Sequence, residues 1–502
     1  MKIAFVAFGY ENLGIEYLSS YLKEKGHETA LVFDPALFKT YHLQNDFLAG
    51  IFNFRKNIVD KILAVHADVV AFSVLSDNYQ WAKGIAEEVK HLRKDVVIVF
   101  GGIHPSSVPE LVISEDAVDY VCVGESEEAL AELVDALENM KDTVSIRNVW
   151  AKRDGVIFKN APRDLIGNLD VLPLPDKDLF YAEYKGFTDN IYMTMTSRGC
   201  PYQCTYCYNS YLMELYADKG KYLRRFSVKR VIEELLLAKE KYGMKRIVFV
   251  DDVFISHPDW LEEFTGEYKK KIDLPFGCLV HPFFVNKRVV DLLKRAGCTS
   301  VGMGIQTLNE PLKKEVLGRF ESNAVVEEAI SLFKKANIFI YVDFIFGLPG
   351  ESNDDVIKAA LFLSKTRPDG VSTLWLRYYP KADIIRIAKI RNILSGADEE
   401  RINQALASAP VSDFGNCETA LDKKLVSFLL VSANLPVPVT RVLLKYKLFR
   451  LLPAGNLHHF HTLIKQAYNR VIHRKDGTLY SSLGAHLSYY GAYMRRYRGT
   501  SK

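Results

Sequence analysis

Three cysteines lie within eight residues of the sequence, at Cys200, Cys204 and Cys207. Thiolates are the usual ligands of iron–sulfur clusters, and a cubane cluster normally takes four. A zinc site would need a fourth ligand at matching spacing, and the sequence has no second pair of close cysteines. Three thiolates in one loop can hold three irons and leave the fourth open to a substrate. The spacing therefore predicts a [4Fe–4S] cluster with an open iron, and buried or free thiols are the alternative.

The cysteines follow an apolar-alternating run, Ile191–Thr196, which predicts that they occupy a loop just after a strand. From about residue 188 to residue 380, strand and helix patterns alternate six times. Such alternation predicts a partial (β/α)6 barrel of the TIM type, whose functional residues lie at the carboxyl ends of the strands. Polar or glycine-rich residues follow the strand patterns at Asp251 and Asp252, at Gln306 and at Gly347. Adjacent acids at a strand end can also be only a solvated turn or a helix N-cap.

Four motifs in this order resemble the radical S-adenosylmethionine (SAM) superfamily, over about residues 190–350. They are the loop C-P-Y-Q-C-T-Y-C, the acid pair, the strand G-M-G-I-Q followed by Arg319, and the strand end F-I-F-G-L-P-G-E. The resemblance implies that the open iron chelates SAM, which is then cleaved reductively to a 5′-deoxyadenosyl radical. It also implies an external electron donor of the flavodoxin or ferredoxin type. The residues that the resemblance assigns to SAM are Tyr206, Asp251, Asp252, Gln306 and Gly347.

Residues 1–140 alternate strand and helix patterns and predict a doubly wound, Rossmann-like parallel sheet. Ligands of such sheets bind beyond the carboxyl ends of the strands, where this sequence has glycine-rich loops. The first of these loops, Gly9–Gly14, does not have the G-x-G-x-x-G pattern, so a nicotinamide cofactor is poorly supported.

Two further loops, G-G-I-H-P at 101–105 and V-G-E-S-E at 123–127, resemble those of the cobalamin-binding domains that precede radical SAM domains. Many such domains carry D-x-H-x-x-G, in which the His ligates cobalt, but here Glu11 occupies the His position. His104 is a weaker alternative ligand, and a degenerate domain without a cofactor is the remaining possibility. The residues predicted to contact cobalamin are Glu11, Gly14, Ser73, Ser76, Gly101, Gly102 and Gly124.

Charge is distributed unevenly along the 502 residues. From Ala420 to Lys502, 14 Lys and Arg stand against two acids, so this part carries +12 and the first 419 residues carry −8. We expect a proline-rich connector at 141–187 and a basic, mainly helical cap at 381–502. The stretch Arg441–Leu452 alternates basic and apolar residues, so peripheral contact with an anionic membrane is an alternative to a solvated face. No nucleic-acid-reading module accompanies the charge, and we do not expect nucleic acid as a partner.

Seven cysteines without a disulfide framework, no signal peptide and no membrane span predict a cytoplasmic protein, with membrane association as an addition. Of the single thiols, Cys417 is the one most suited to an auxiliary role.

The domain order resembles that of cobalamin-dependent radical SAM enzymes. Methylation of an unactivated carbon in a small-molecule or lipid substrate is the leading expectation. A cyclase or oxidoreductase without net methylation, like the anaerobic cyclase of chlorophyll synthesis, is the second hypothesis. A cobalamin or SAM sensor without turnover is the third, although a sensor does not need a reducible cluster.

Overall fold

The computed structural model describes residues 1–36, 39–40, 43–44, 55–183, 190–406 and 421–452. The strands of the first part are β1 (Lys2–Phe8), β2 (Glu28–Asp34), β3 (Lys39–Thr40), β4 (Leu43–Gln44), β5 (Val69–Ser73), β6 (Val97–Gly101), β7 (Tyr120–Cys122), β8 (Val149–Arg153) and β9 (Val156–Phe158). The helices described there are α1 (Leu13–Glu24), α2 (Arg55–Val65), α3 (Tyr79–Leu92), α4 (Ile103–Ser107), α5 (Pro109–Ser114), α6 (Glu127–Glu138) and α7 (Lys177–Glu183).

The N-terminal sheet has the strand order β2-β1-β5-β6-β7-β8-β9, and its first five strands are parallel. These strands are apolar on both faces because helices cover both sides of the sheet, as in doubly wound folds. The predicted Rossmann-like architecture is confirmed.

Two details of this part differ from the sequence-based expectation. The 101–105 segment was expected to be a loop, but α4 begins at Ile103. Pro105 lies in its first turn, where proline is tolerated. Within the expected connector, β8 and β9 form a hairpin, with Asp154 and Gly155 both at positive φ. This hairpin extends the N-terminal sheet by pairing antiparallel with β7.

The second sheet has six parallel strands in sequential order, as the predicted partial barrel requires. Its strands are β10 (Ile191–Thr194), β13 (Arg246–Phe249), β14 (Phe276–Val280), β15 (Cys298–Gln306), β16 (Phe339–Phe346) and β17 (Gly370–Trp375). At the barrel mouth, β11 (Ser197–Arg198) pairs antiparallel with β12 (Arg224–Arg225), a small ribbon that the sequence did not indicate. The helices described here are α8 (Tyr208–Leu215), α9 (Val228–Tyr242), α10 (Pro258–Lys271), α11 (Lys287–Ala296), α12 (Glu310–Glu315), α13 (Asn323–Lys335), α14 (Asn353–Thr366), α15 (Ile384–Ile390) and α16 (Gly396–Asn403).

Two C-terminal helices are described, α17 (Lys423–Ser432) and α18 (Val437–Lys445). Leu425, Phe428 and Leu429 of α17 are buried in the barrel's hydrophobic core, where α17 packs against α14 and β17. This part of the expected cap therefore shares the hydrophobic core of the barrel. Cys417 and the basic residues beyond 452 lie outside the described residues. None of the helices in the described ranges is long and apolar enough to cross a bilayer.

Candidate active site

The three-cysteine loop joins the β11–β12 ribbon to α8 at the barrel mouth. Gly199 has a φ of +87°, and a Cβ there would lie 2.5 Å from the carbonyl oxygen of Tyr222, so only glycine fits. The backbone N–H of Cys207 donates to the carbonyl of Cys204 at 3.0 Å. Thr205 connects the loop to two later segments of the chain. Its N–H donates to Leu317 O, and its carbonyl accepts from Ile384 N. The loop is therefore held in one conformation by main-chain contacts.

The three thiols are gathered in a partly buried cluster. Burial, with smaller contributions from Asp252 and the neighbouring thiols, raises the pKa of Cys200 to about 12 and that of Cys207 to about 11. Burial also raises the pKa of Cys204, against the lowering effect of Arg319. Thiolates packed together in this way need a bound cation to offset their repulsion. The donor set therefore fits an iron–sulfur cluster.

The adjacent acids Asp251 and Asp252 have different surroundings. The Asp251 carboxylate is buried and accepts hydrogen bonds from Thr196 N (3.0 Å), from Thr196 Oγ1 (2.7 Å) and from the Ser197 hydroxyl. Asp251 thus fixes the chain between β10 and the cysteine loop. Asp252 accepts from Asn209 Nδ2 at 3.1 Å, and burial raises its pKa to about 6. Of the two predicted SAM contacts, Asp252 is the one with accepting capacity left for a ligand.

Gln306 ends β15 with a φ of +66°, an uncommon conformation for a residue other than glycine. Its Oε1 is buried and accepts no hydrogen bond from the described residues. A buried acceptor without a donor costs free energy, and a ligand that donates to it would remove that cost. Gln306 therefore fits a SAM contact, as the sequence predicts.

Tyr206 and Arg319 form a connected pair beside Gln306. Arg319 donates from Nη1 to Tyr206 Oη at 3.4 Å, from Nη2 to Gly304 O at 2.8 Å and from Nε to Glu321 Oε1 at 2.8 Å. Arg319 thus joins the cysteine loop to β15 and orients the Tyr206 ring, which is the group predicted to lie near the adenine.

Gly347 follows β16 at a φ of +81°. Its N–H donates to Glu351 Oε2 at 2.8 Å, and burial raises the pKa of Glu351 to about 8. The Gly347 N–H is therefore already used by the protein, which leaves close backbone approach as its contribution to a ligand site.

Asp343 is a candidate residue that the sequence analysis missed. It lies on the half-buried face of β16, opposite Gly304 of β15 and Ser372 of β17 in the strand register. A Cβ at Gly304 would lie 2.3 Å from Gln306 Nε2, so the Gln306 amide folds back over the same layer. Burial raises the pKa of Asp343 to about 7. The sequence signal was an acid in the middle of the apolar run Ile340–Phe346. Because alternate side chains of a strand point to opposite faces, Asp343 lies on the face directed into the barrel.

A cavity of about 600 Å³ lies between the two sheets, within the size range of cofactor sites. Both domains line it at the carboxyl ends of their strands, and Gly199 brings it to the cysteine loop. Seven of the predicted site residues border it, namely Gly14, Ser73, Gly101, Gly102, Gly124, Asp251 and Asp252.

Two glycines shape the N-terminal side of this cavity. Gly102 has a φ of +101°, and a Cβ there would lie 2.7 Å from Val74 O. Gly124 has a φ of +78°, and its Cβ would lie 2.0 Å from Tyr216 Oη. Both positions require glycine, because Val74 and Tyr216 occupy the space that a side chain would need. This wall fits the backbone-mediated binding expected of cobalamin.

Glu11 and Ser76 do not border the cavity. Lys177, in the connector, draws Glu11 into a buried ion pair with an Nζ–Oε1 distance of 2.6 Å, and also contacts Glu16 at 2.8 Å. Ser76 Oγ lies 2.9 Å from Nδ1 of His104. The structure thus separates these two residues from the other predicted cobalamin contacts.

His104 is buried against the Tyr79 ring, with ring centroids 4.4 Å apart, and it does not line the cavity either. Burial lowers its pKa to about 4. Its place beside Ser76 and Tyr79 gives no support to a cobalt-ligand role.

Ion pairs across the domain interface were not anticipated. Arg198 Nη2 lies 2.5 Å from Glu127 Oε1, and Arg224 pairs with Glu125. Burial raises the pKa of Glu127, but the Arg198 charge outweighs this effect and holds the pKa below its ordinary value. Arg198 stands two residues before Cys200, so these pairs join the cobalamin-type loop V-G-E-S-E directly to the cysteine loop.

Comparison with known proteins agrees with this division. The family model of the radical SAM superfamily matches residues 194–363, and that of the B12 binding domain matches residues 3–134. The chain is thus a radical SAM enzyme. More narrowly, it belongs to the radical SAM enzymes that carry an N-terminal B12-binding domain, as the sequence motifs predicted.

Individual relatives extend this result. An uncharacterized methyltransferase of Pyrococcus horikoshii is 29% identical over 385 residues, which are 76% of this chain and 79% of that protein. The anaerobic magnesium-protoporphyrin IX monomethyl ester cyclase of Rubrivivax gelatinosus is 23% identical over 412 residues, 76% of this chain and 68% of that protein. The cobalamin-dependent SAM radical enzyme OxsB, solved with aqua-cobalamin and SAM bound, shares the fold with a TM-score of 0.65 at 16% identity, over 99% of this chain and 80% of its own.

Proposed function

We propose that this protein is a cobalamin-dependent radical SAM methyltransferase, which transfers a methyl group to an unactivated carbon of a small-molecule substrate. The observation that carries the proposal is the cavity that the glycine loops of the B12-binding domain share with Asp252 and with Gly199, the residue before Cys200. When bound, the cluster and SAM would supply a 5′-deoxyadenosyl radical and cobalamin would carry the methyl group.

Within this proposal, each group of residues has a defined task. Cys200, Cys204 and Cys207 hold the cluster. Asp252, Gln306 and Asp343 accept hydrogen bonds from SAM, and Tyr206 packs beside it in the orientation set by Arg319. Gly14, Ser73, Gly101, Gly102 and Gly124 form the wall against the corrin.

A cyclase or oxidoreductase without net methylation is the second candidate. It is weaker, because the cyclase relative matches at lower identity than the methyltransferase relative. A sensor without turnover is not retained, because the chain is a radical SAM enzyme.

One anaerobic experiment separates the two enzymatic candidates. The protein is reconstituted with iron, sulfide and hydroxocobalamin, SAM and a reductant are added, and 5′-deoxyadenosine and S-adenosylhomocysteine are quantified. A methyltransferase gives both products, whereas a cyclase gives 5′-deoxyadenosine alone. Absence of both products from protein that holds its cluster and cobalamin would refute the proposal.

The proposal also includes partners. A reductant of the flavodoxin or ferredoxin type would deliver electrons to the cluster in the cytoplasm, where thiols stay reduced.

Val439, Val442 and Tyr446 are exposed on and beside α18, next to exposed Arg441 and Lys445. This surface supports peripheral contact with anionic lipid. Co-sedimentation with phosphatidylglycerol vesicles, compared with phosphatidylcholine vesicles, tests it: equal sedimentation with the two would refute the contact.

A further inference from the structure

The helix α8 connects the cysteine loop to the cavity wall of the other domain. It begins directly after Cys207, so its position is set by the cluster ligands. Tyr208 and Leu212 of this helix and Tyr216, its C-cap residue, are four residues apart along the chain, and all three border the cavity. One short helix thus forms both the exit from the cysteine loop and a wall of the space assigned to cobalamin.

Tyr211 reaches across the domain interface from this helix. Its hydroxyl donates to the carbonyl oxygen of Ser106 at 2.5 Å. The Ser106 hydroxyl donates to Gly102 O at 2.7 Å and accepts from Gly124 N at 2.8 Å. Tyr211 therefore contacts the residue that joins the two glycine loops to each other.

Tyr216 makes a second contact of the same kind. Its hydroxyl accepts from the backbone N–H of Glu125 at 2.6 Å, and it fills the space that a side chain at Gly124 would need. Tyr211 and Tyr216 follow Cys207 by four and nine residues, which is about 6 and 13 Å along a helix axis. The two hydroxyls thus fix the cobalamin-side wall at two points, at set distances from the cluster loop.

We propose that Tyr211 and Tyr216 are positioning residues that hold the glycine loops of the B12-binding domain in register with the cluster. The inference rests on the proposed function, because it concerns how the cobalamin site is placed for methyl transfer. Neither hydroxyl takes part in the chemistry. Their removal loosens the wall on the cobalamin side and leaves the cluster and SAM side, which the barrel builds alone, in place.

The test uses the full chain with Tyr211→Phe, Tyr216→Phe and the double variant, which keep the rings and remove only the hydroxyls. The matched control is Tyr268→Phe, whose buried hydroxyl donates to Leu274 O at 2.9 Å inside the barrel. Hydroxocobalamin binding is titrated by absorbance, without SAM or substrate. The reconstituted enzymes are then compared by the ratio of S-adenosylhomocysteine to 5′-deoxyadenosine.

Loss of one such hydrogen bond is expected to weaken hydroxocobalamin binding about three- to tenfold. The product ratio should fall by a similar factor, while 5′-deoxyadenosine formation stays within about twofold of wild type; the control should change neither. Unchanged hydroxocobalamin affinity and product ratio in the double variant would overturn this inference alone. A parallel fall of both products would do the same, since it would place the tyrosines in the cluster site or in general stability. Failure of the wild-type protein to bind hydroxocobalamin would overturn the proposed function together with this inference.

Discussion

The two parallel sheets present different kinds of surface at the same topological place. At the carboxyl edge of the N-terminal sheet, the cavity is lined by glycines and small side chains such as Gly102, Gly124 and Ser73. At the carboxyl edge of the barrel stand thiols, acids and the unpaired amide oxygen of Gln306. One edge therefore offers small side chains and backbone to the cavity, whereas the other offers groups that can ligate a metal or form hydrogen bonds.

The difference also extends to how each edge is stabilised. Gly102 and Gly124 have no side chain that could form a hydrogen bond. Each allows its neighbour, Val74 or Tyr216, to pack directly against the backbone. On the barrel side, Asp251, Arg319 and Glu351 have their polar atoms engaged by the protein and hold Thr196, Tyr206 and Gly347 in place. Substitutions at the N-terminal edge should therefore act through steric clashes. Substitutions at the barrel edge should act through the loss of metal ligands or hydrogen bonds.

The largest effect is expected at the cysteine loop. Cys204→Ala leaves two thiols, too few for a site-differentiated cluster, so the iron content and the broad visible absorbance of the cluster should be lost, together with 5′-deoxyadenosine formation. Hydroxocobalamin binding should stay within about threefold of wild type, because the other edge builds that wall. Cys278→Ala, a buried single thiol in β14, serves as the control. A fully loaded cluster in Cys204→Ala would contradict the assignment.

On the N-terminal edge, Gly102→Ala should act through shape. The new Cβ would lie 2.7 Å from Val74 O at a φ of +101°, so we expect about 1–3 kcal/mol of lost stability and at least about tenfold weaker hydroxocobalamin binding. Gly26→Ala is a matched control, since its φ is +89° but no atom lies within 4 Å of the added Cβ. Denaturant unfolding and absorbance titration measure the two effects. Equal hydroxocobalamin affinity in the two variants would show that backbone approach at Gly102 is not used.

On the barrel edge, Gln306→Gly should separate stability from binding. Relief of strain at a φ of +66°, about 1–3 kcal/mol, should outweigh the entropy that glycine adds to the unfolded chain, so the free energy of unfolding should rise by about 0.5–1 kcal/mol. The same change removes the unpaired acceptor, so SAM affinity should fall about five- to tenfold. Unfolding curves test the predicted gain in stability, and equilibrium binding of SAM to the cluster-loaded protein tests the predicted loss of affinity. If SAM affinity is unchanged, Gln306 is only a strained strand end.

Much of this arrangement was readable from the sequence, and the exceptions share a cause. The cysteine spacing, the six strand ends and the glycine loops are local signals, and the structure brings seven of the predicted residues to one cavity. Glu11 was misplaced because its partner, Lys177, is 166 residues away in the chain. Arg198 and Tyr216 were missed because their roles depend on contacts with Glu127 and Gly124 across the domain interface. The positions of Glu11, Arg198 and Tyr216 all depend on contacts with residues distant in the chain, and a single sequence does not reveal such contacts.

A pH dependence of stability is expected from Asp343. Burial raises the pKa of its carboxyl from an ordinary 3.8 to about 7, so the folded state binds a proton that the unfolded state releases near pH 4. The protonated form is the one that the fold favours, and wild-type stability should therefore decline relative to Asp343→Asn as the pH rises from about 4 to about 7, then stay level. Urea unfolding of both proteins at pH 5, 6, 7 and 8 measures the difference, with Asp291→Asn on the exposed face of α11 as the control. A constant difference between wild type and Asp343→Asn would mean that Asp343 is ionised at every pH tested, and would refute the raised pKa.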